Sequence, residues 1–216
     1  MSEEVMQKTD EWFALRCGKF TGSRFEDVTA VSKKDGKPLK AREDLVWEIL
    51  SERIQGYQPQ GASAYSLKWG TDNEPLACEA YEFRTGNFVE KVAFIQSGKY
   101  DFVGVSPDGL VGDDGMIEIK CPSSPREHIQ RFKLGVPEKY IPQIQGCLWV
   151  TGRKWCDFVS YDPDTAEAYR LLVIRVYRDE AYIEKLEKEV LSANAEVEAL
   201  AKEIEEARLK LIEEKK

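Results

Sequence analysis

Hydrophobic and polar positions change their period partway along the chain. Up to Gly86 the apolar residues fall mainly at helical spacing. "DEWFALRCG" predicts a first helix, with Thr9 as its N-cap and Gly18 as its stop. "TGSRFEDVT" predicts a short second helix, and the lysine-rich "VSKKDGKPLKAR" a polar loop around a D-G turn. Leu45, Ile49 and Leu50 place a third helix in "EDLVWEILSERI", closing before Gly56. After the loop "YQPQGASAYS", a fourth helix is expected from a Thr71 cap through "TDNEPLACEAYEFRTG".

Beyond Gly86 the period becomes two. "NFVEKVAFIQS", "KYDFVGVS", the short "GLV" and, after a D-D-G turn, "MIEIKC" read as strands. Two helices are expected in "SPREHIQRFKLG" and "EKYIPQIQGCLWVTG", and two more strands in "KWCDFVSYD" and "AYRLLVIRVYR". The order predicts an α/β fold, a mixed central sheet flanked by helices around one core.

The last segment has the clearest period. Ile183, Leu186, Val190, Ala193, Val197, Leu200, Ile204, Ala207 and Leu211 alternate spacings of three and four, flanked by Glu and Lys. A long helix is predicted over residues 178–216, part of the domain formed by residues 1–177 or appended to it. The pattern fits equally a helix folded back on its own domain and a coiled coil with a partner.

At 216 residues and 42% hydrophobic, the chain can bury one good core, so one domain is expected. No apolar run approaches the roughly 20 residues of a spanning helix, and no signal-peptide pattern opens the chain. Five scattered cysteines without CxxC point to a reduced, cytoplasmic protein without structural zinc. A single histidine, His128, excludes chemistry that needs two imidazoles; it is expected on a helix surface. The net charge of −8 weighs against a nucleic-acid partner. Half of it lies in residues 178–216, with 12 acids and 8 bases, and acids that bind divalent cations would be neutralised in use.

Chemistry concentrates in "SPDGLVGDDGMIEIKCP", residues 106–122. Strand alternation puts Ile117, Ile119 and Cys121 on one face and Glu118 and Lys120 on the other. If "GLV" pairs with "MIE", Asp108 comes beside Glu118. Two hard oxygen donors of this kind hold Mg²⁺ or Mn²⁺ and leave room for water and a phosphate, which suits phosphodiester hydrolysis. Lys120 would then position or deprotonate the attacking water. The spacing alone fits a solvent-facing surface ion pair equally well.

Taken whole, the segment resembles the core of the phage lambda exonuclease and YqaJ-like viral recombinase nuclease family, within the PD-(D/E)xK superfamily. Pro107-Asp108 stands for PD and Glu118-Ile119-Lys120 for ExK. The likeness extends through "EWFALRCGKFTGSRF", "WGTDNEPLACEAYEF", "RFKLGVPEKYIPQIQGCLWVTG" and "YDPD". It implies a restriction-endonuclease-like fold, with Asp108, Glu118 and the main-chain carbonyl of Ile119 as metal ligands and Lys120 aligning the nucleophilic water. Glu74 matches a helix-borne acid near a second metal, although Thr71–Glu74 also reads as a capping box. Gln143 matches an active-site glutamine, with Gln145 as a register competitor. Arg16 and Ser23 match positions that bind a 5′-terminal phosphate; Lys33 and Lys34 lie where the family contacts DNA through a basic loop.

The resemblance also implies an activity. It is a Mg²⁺-dependent, processive 5′→3′ exonuclease that degrades one strand of linear double-stranded DNA with 5′-phosphate ends to mononucleotides, leaving a 3′ overhang for recombination. Two Mg²⁺ ions are implied, with Mn²⁺ as a substitute. The implied assembly is a homotrimer ring with a single-strand annealing protein as partner, for a phage or prophage protein in a bacterial host. The alternatives are a structure- or sequence-specific endonuclease on the same core, or a non-catalytic coiled-coil recombination scaffold.

Overall fold

A computed structural model describes residues 6–32, 34–59 and 65–213. Lys33 and part of the expected loop, residues 60–64, lie outside the described residues. Helix α1 spans Asp10–Arg16, and the Thr9 hydroxyl caps it by accepting from the Trp12 N–H at 3.3 Å. Strand β1, Phe20–Thr21, leads through a 3-10 turn at Gly22–Arg24 into the short α2, Phe25–Val28. Helix α3, Lys40–Gln55, ends at Gly56 in the left-handed region, with φ 78°.

Helix α4 spans Tyr65–Thr85 and departs from expectation: it starts six residues before Thr71 and keeps Pro75 inside it. Thr71 is therefore not its cap. The Thr71 hydroxyl and the Glu74 carboxylate instead both face Lys8, whose Nζ lies 3.3 and 3.0 Å away. A distant lysine engages both members of the apparent capping box.

The strands form two sheets rather than one. The smaller has the order β1-β4-β3, with β3 at Ile95–Gln96 and β4 at Val103–Val105. The larger has the order β2-β5-β6-β7-β8, built from Val89–Glu90, Gly109–Val111, Gly115–Lys120, Trp155–Tyr161 and Leu171–Tyr177. Its β6–β7 pair is parallel and its other pairs are antiparallel. A parallel pair needs a crossover, which α5 (Pro125–Leu134) and α6 (Ile141–Thr151) supply.

The large sheet is covered on both faces, so the core has two layers. Met116, Cys156 and Phe158 pack with Ile144 and Leu148 of α6. Ile117, Ile119 and Val159 pack on the opposite face with Ala77 and Tyr81 of α4. Two glycines let the β5–β6 hairpin fit between its neighbours. A Cβ on Gly109 would stand 2.2 Å from Val89 Cγ1, and one on Gly115 would stand 2.1 Å from the Trp155 ring.

The final helix, α7, spans Glu180–Glu213 and folds back on the domain through Ile183, Leu186, Val190, Ala193 and Val197. Arg42 of α3, buried, pairs with Glu189 and, at 2.6 Å, with Glu196. Past Ile204 the seam leaves the domain, and Leu209, Leu211 and Ile212 are exposed. Among the described residues no helix is long and apolar enough to cross a membrane.

Candidate active site

The register of the β5–β6 hairpin places the first carboxylates. Gly109 pairs with Ile117, Leu110 with Met116 and Val111 with Gly115. Asp108, just before β5, is thus brought to Glu118, and its Oδ2 accepts the Ile119 N–H at 2.6 Å. Glu118 shares the face of Met116, which α6 covers, so it is 1% exposed. A surface ion pair is thereby overturned. Lys120 Nζ lies 2.5 Å from Glu118 Oε1, but neither Glu118 oxygen has a hydrogen-bond partner.

Two carboxylates this close in a dry site resist being ionised together. Burial, the charge of Glu118 and, more weakly, that of Glu74 push the Asp108 carboxyl up to about 8, with Lys120 opposing them. Burial pulls the Lys120 ammonium down, but Glu118 and Asp108 outweigh it and hold its pKa above the ordinary range. Lys120 is thus the resident counter-ion, its Nζ 5.1 Å over the Tyr140 ring.

The donor set fits a divalent cation. Glu118 offers two orphaned oxygens, and Asp108 keeps one oxygen clear of the Ile119 bond. Among the described residues no three His, Cys, Asp or Glu side chains form one metal-holding group, so main-chain and water oxygens would complete the shell. Glu74, on α4, pairs with Lys8 at 3.0 Å and lies 3.9 Å from Lys91. Lys91 Nζ also donates to the Asp108 carbonyl at 2.8 Å.

Beside this centre a cleft of about 150 Å³ is lined by Trp12, Arg16, Ser23, Ser106, Asp108 and Gln143. Arg16 is 7% exposed, its guanidinium stacked 4.2 Å over Trp12 and donating to Thr21 Oγ1 at 3.0 Å and Ser23 Oγ at 3.1 Å. Its Nε has no partner. Burial and then the charge of Arg24 pull its pKa down to about 10, which leaves it a cation at neutral pH. A buried guanidinium that lines a small cleft has the chemistry to pair with an anion.

Gln143 and Gln145 separate cleanly. Gln143 faces the cleft, whereas buried Gln145 donates to the Tyr177 carbonyl at 2.9 Å and accepts from the Asp179 N–H at 3.0 Å, tying α6 to the start of α7. His128 is not a surface residue. It is fully buried, Nδ1 2.8 Å from Ser160 Oγ and Nε2 2.6 Å from the Tyr169 carbonyl, because the loop after β7 closes over α5. Lys34 is exposed on its loop. The sequence reading missed Lys8, Lys91 and Tyr140 at the centre. Only the spacing of Trp12 and Arg16, four apart on one helix face, carried a readable cue.

Fold and site together define an α/β protein with a buried acidic–lysine centre and a small cleft, lined by Arg16, against it. Residues 11–154 match the YqaJ-like viral recombinase domain, and the chain belongs to that family. It is similar in structure to an alkaline exonuclease (LHK-Exo) from Laribacter hongkongensis, with 40% identity and a TM-score of 0.85 over 94% of this chain and 100% of that one. The same exonuclease in complex with dAMP gives a TM-score of 0.86 at 40% identity and the same coverage. A phage-related exonuclease from Haemophilus somnus 129PT, 19% identical, shares the fold with a TM-score of 0.68 over 86% of this chain and 96% of that one. No curated protein sequence matches.

Proposed function

We propose that the protein is a Mg²⁺-dependent 5′→3′ exonuclease acting on linear double-stranded DNA. One observation carries the reading. The same small cleft joins a buried, anion-ready Arg16 to Asp108 of the carboxylate–lysine centre. A terminal phosphate on Arg16 and Ser23 would set the next phosphodiester against that centre, so cleavage releases one nucleotide at a time and leaves a 3′ overhang. Similarity to an alkaline exonuclease at 40% identity supports the same class of reaction.

Asp108, Glu118 and the Ile119 carbonyl would hold the cation, with Glu74 beside a second one. Bound there, Mg²⁺, or Mn²⁺ in its place, supplies phosphoryl polarisation and a water acidified toward neutral pH. With the cation's charge beside it, Lys120 would release its ammonium proton to solvent and, as the neutral amine, would position or deprotonate the attacking water. Gln143 orients the reacting phosphate from the cleft wall, and Arg16 with Ser23 holds the strand end between turnovers. A homotrimer ring would keep the enzyme on its substrate, and a single-strand annealing protein would take the exposed strand.

The test gives the protein and Mg²⁺ a linear duplex with 5′-phosphate or 5′-hydroxyl ends. Mononucleotides should appear, faster from the phosphate, while closed circular DNA stays intact. Digestion from 3′ ends would sink the reading, nicking of the circle would make the enzyme an endonuclease, and light scattering tests the ring.

A further inference from the structure

We infer that a second cleft, across Asp108 from Arg16, is a strand-binding subsite for the nucleotide immediately 3′ of the scissile phosphate. Phe88 stacks its base, and Lys91 with Lys8 receives the phosphate on its 3′ side. The inference rests on the exonuclease reading and adds residues to it that the sequence motifs do not assign.

The cleft has a volume of about 700 Å³ and is lined by Met6, Glu74, Pro75, Phe88, Lys91 and Asp108, among others. It shares Gln7 and Asp108 with the smaller cleft of about 150 Å³ that holds Arg16. Gln7 stands between the two, its Nε2 donating to the Val92 carbonyl at 2.8 Å and the Pro107 carbonyl at 2.9 Å. The smaller space suits a phosphate, whereas the larger lies in the range that holds a whole nucleotide. A strand anchored by its end in the first cleft therefore continues past Asp108 into the second.

The walls match that occupant. The Phe88 ring is 80% exposed, yet its backbone is fixed: the next residue, Val89, is buried, pairs with Val111, and donates its N–H to Glu82 Oε1 at 2.7 Å. An open aromatic face on an anchored backbone is a stacking platform that accepts any base. The same cleft is lined by Lys91, whose Nζ donates to the Asp108 carbonyl at 2.8 Å and lies 3.9 Å from Glu74; beside it half-exposed Lys8 pairs with Glu74 at 3.0 Å and with the Thr71 hydroxyl at 3.3 Å. A divalent cation beside Glu74 would take over its charge, leaving the two half-exposed ammonium groups on neutral oxygens of Asp108 and Thr71, which a strand phosphate outcompetes. Glu90 is the other acid on this wall. A surface closed by a second copy of the chain would not need lysines placed to exchange partners.

The experiment measures binding of 5′-phosphorylated duplexes by fluorescence anisotropy with Ca²⁺ in place of Mg²⁺, using single abasic nucleotides at positions one to four from the 5′ end. Phe88→Ala should weaken binding about tenfold on intact DNA and have no effect when position two is abasic. Lys91→Gln should lower the slope of log affinity against log salt by about one, and Lys8→Gln by a comparable amount. Additive effects of Phe88→Ala and the abasic site at every position, or coupling at another position, would overturn the assignment, as would unchanged salt slopes. A changed oligomeric mass in Phe88→Ala would give the cleft to a subunit contact instead. Digestion by wild-type protein in Mg²⁺ is scored separately. If it fails, the exonuclease reading falls and takes the subsite with it; if it succeeds without coupling, only the subsite falls.

Discussion

Asp108 reaches across its hairpin to accept the main-chain N–H of Ile119 at 2.6 Å, the residue between Glu118 and Lys120. One carboxylate oxygen thus serves as a structural clasp and leaves the other for chemistry. The clasp holds two carboxyl groups together beside one lysine, and the Asp108 carboxyl, pushed up to about 8, stays protonated at neutral pH.

That proton makes stability depend on pH. Because the folded Asp108 carboxyl is pushed up to about 8 from an unfolded value near 3.8, the folded state binds the extra proton between those limits. Its contribution is fully present below pH about 4 and is lost as pH rises toward about 8. In EDTA the melting temperature should therefore fall across this window, and Asp108→Asn should flatten the fall. Thermal melts at fixed ionic strength check it.

Mg²⁺ should raise the melting temperature at pH 8, since a ligand bound only by the folded state stabilises it. Glu118→Gln should abolish that rise. Lys120→Ala should keep it while kcat falls about 10²–10⁴-fold, the usual contribution of a proton-transfer group. Melts and single-turnover digestion separate the two roles.

Arg16→Ala should erase the preference for a 5′-phosphate over a 5′-hydroxyl end, a loss of about 10–100-fold, in line with charge-assisted hydrogen bonds. Arg16→Lys should not restore it, because a lysine cannot stack on Trp12 and present a planar fork together. Competition between the two DNA ends reads this directly.

The glutamines should part company. Gln143→Ala should slow digestion without changing unfolding. Gln145→Ala should destabilise by about 1–3 kcal/mol, because it removes two part-buried hydrogen bonds, to the Tyr177 carbonyl and from the Asp179 N–H. Urea unfolding with parallel activity assays distinguishes them.

Arg42→Ala should destabilise by about 2–3 kcal/mol. Losing one partner of a buried pair costs about 3–5 kcal/mol, but Glu189 and Glu196 are over a third exposed and would be partly rehydrated. Far-UV circular dichroism during urea unfolding follows the detachment of α7.

Much of this was legible in the sequence where local signals governed. Glycines and caps marked most helix ends, alternation placed the β6 residues on their faces, and spacing brought Asp108 to Glu118. What failed were inferences about what covers a face. Alternation alone leaves Glu118 either a solvent-facing charge or a site residue, and only α6 lying on it decides; His128 reads as surface, but the Tyr169 carbonyl closes over it. Thr71 reads as a cap because the lysine that engages it, Lys8, is 63 residues away. Lys8 and Lys91 carried no motif at all, since only the fold brings them to Glu74.

Gly109 and Gly115 pinch the hairpin between Val89 and Trp155, so it cannot slide along its neighbours. One extra residue in the turn would have to be looped out there or would rotate Glu118 into the layer of Ile117. The interval between the two acids therefore works as a calliper. A chimera could exchange the flanking loops freely, but it would have to transplant this stretch whole.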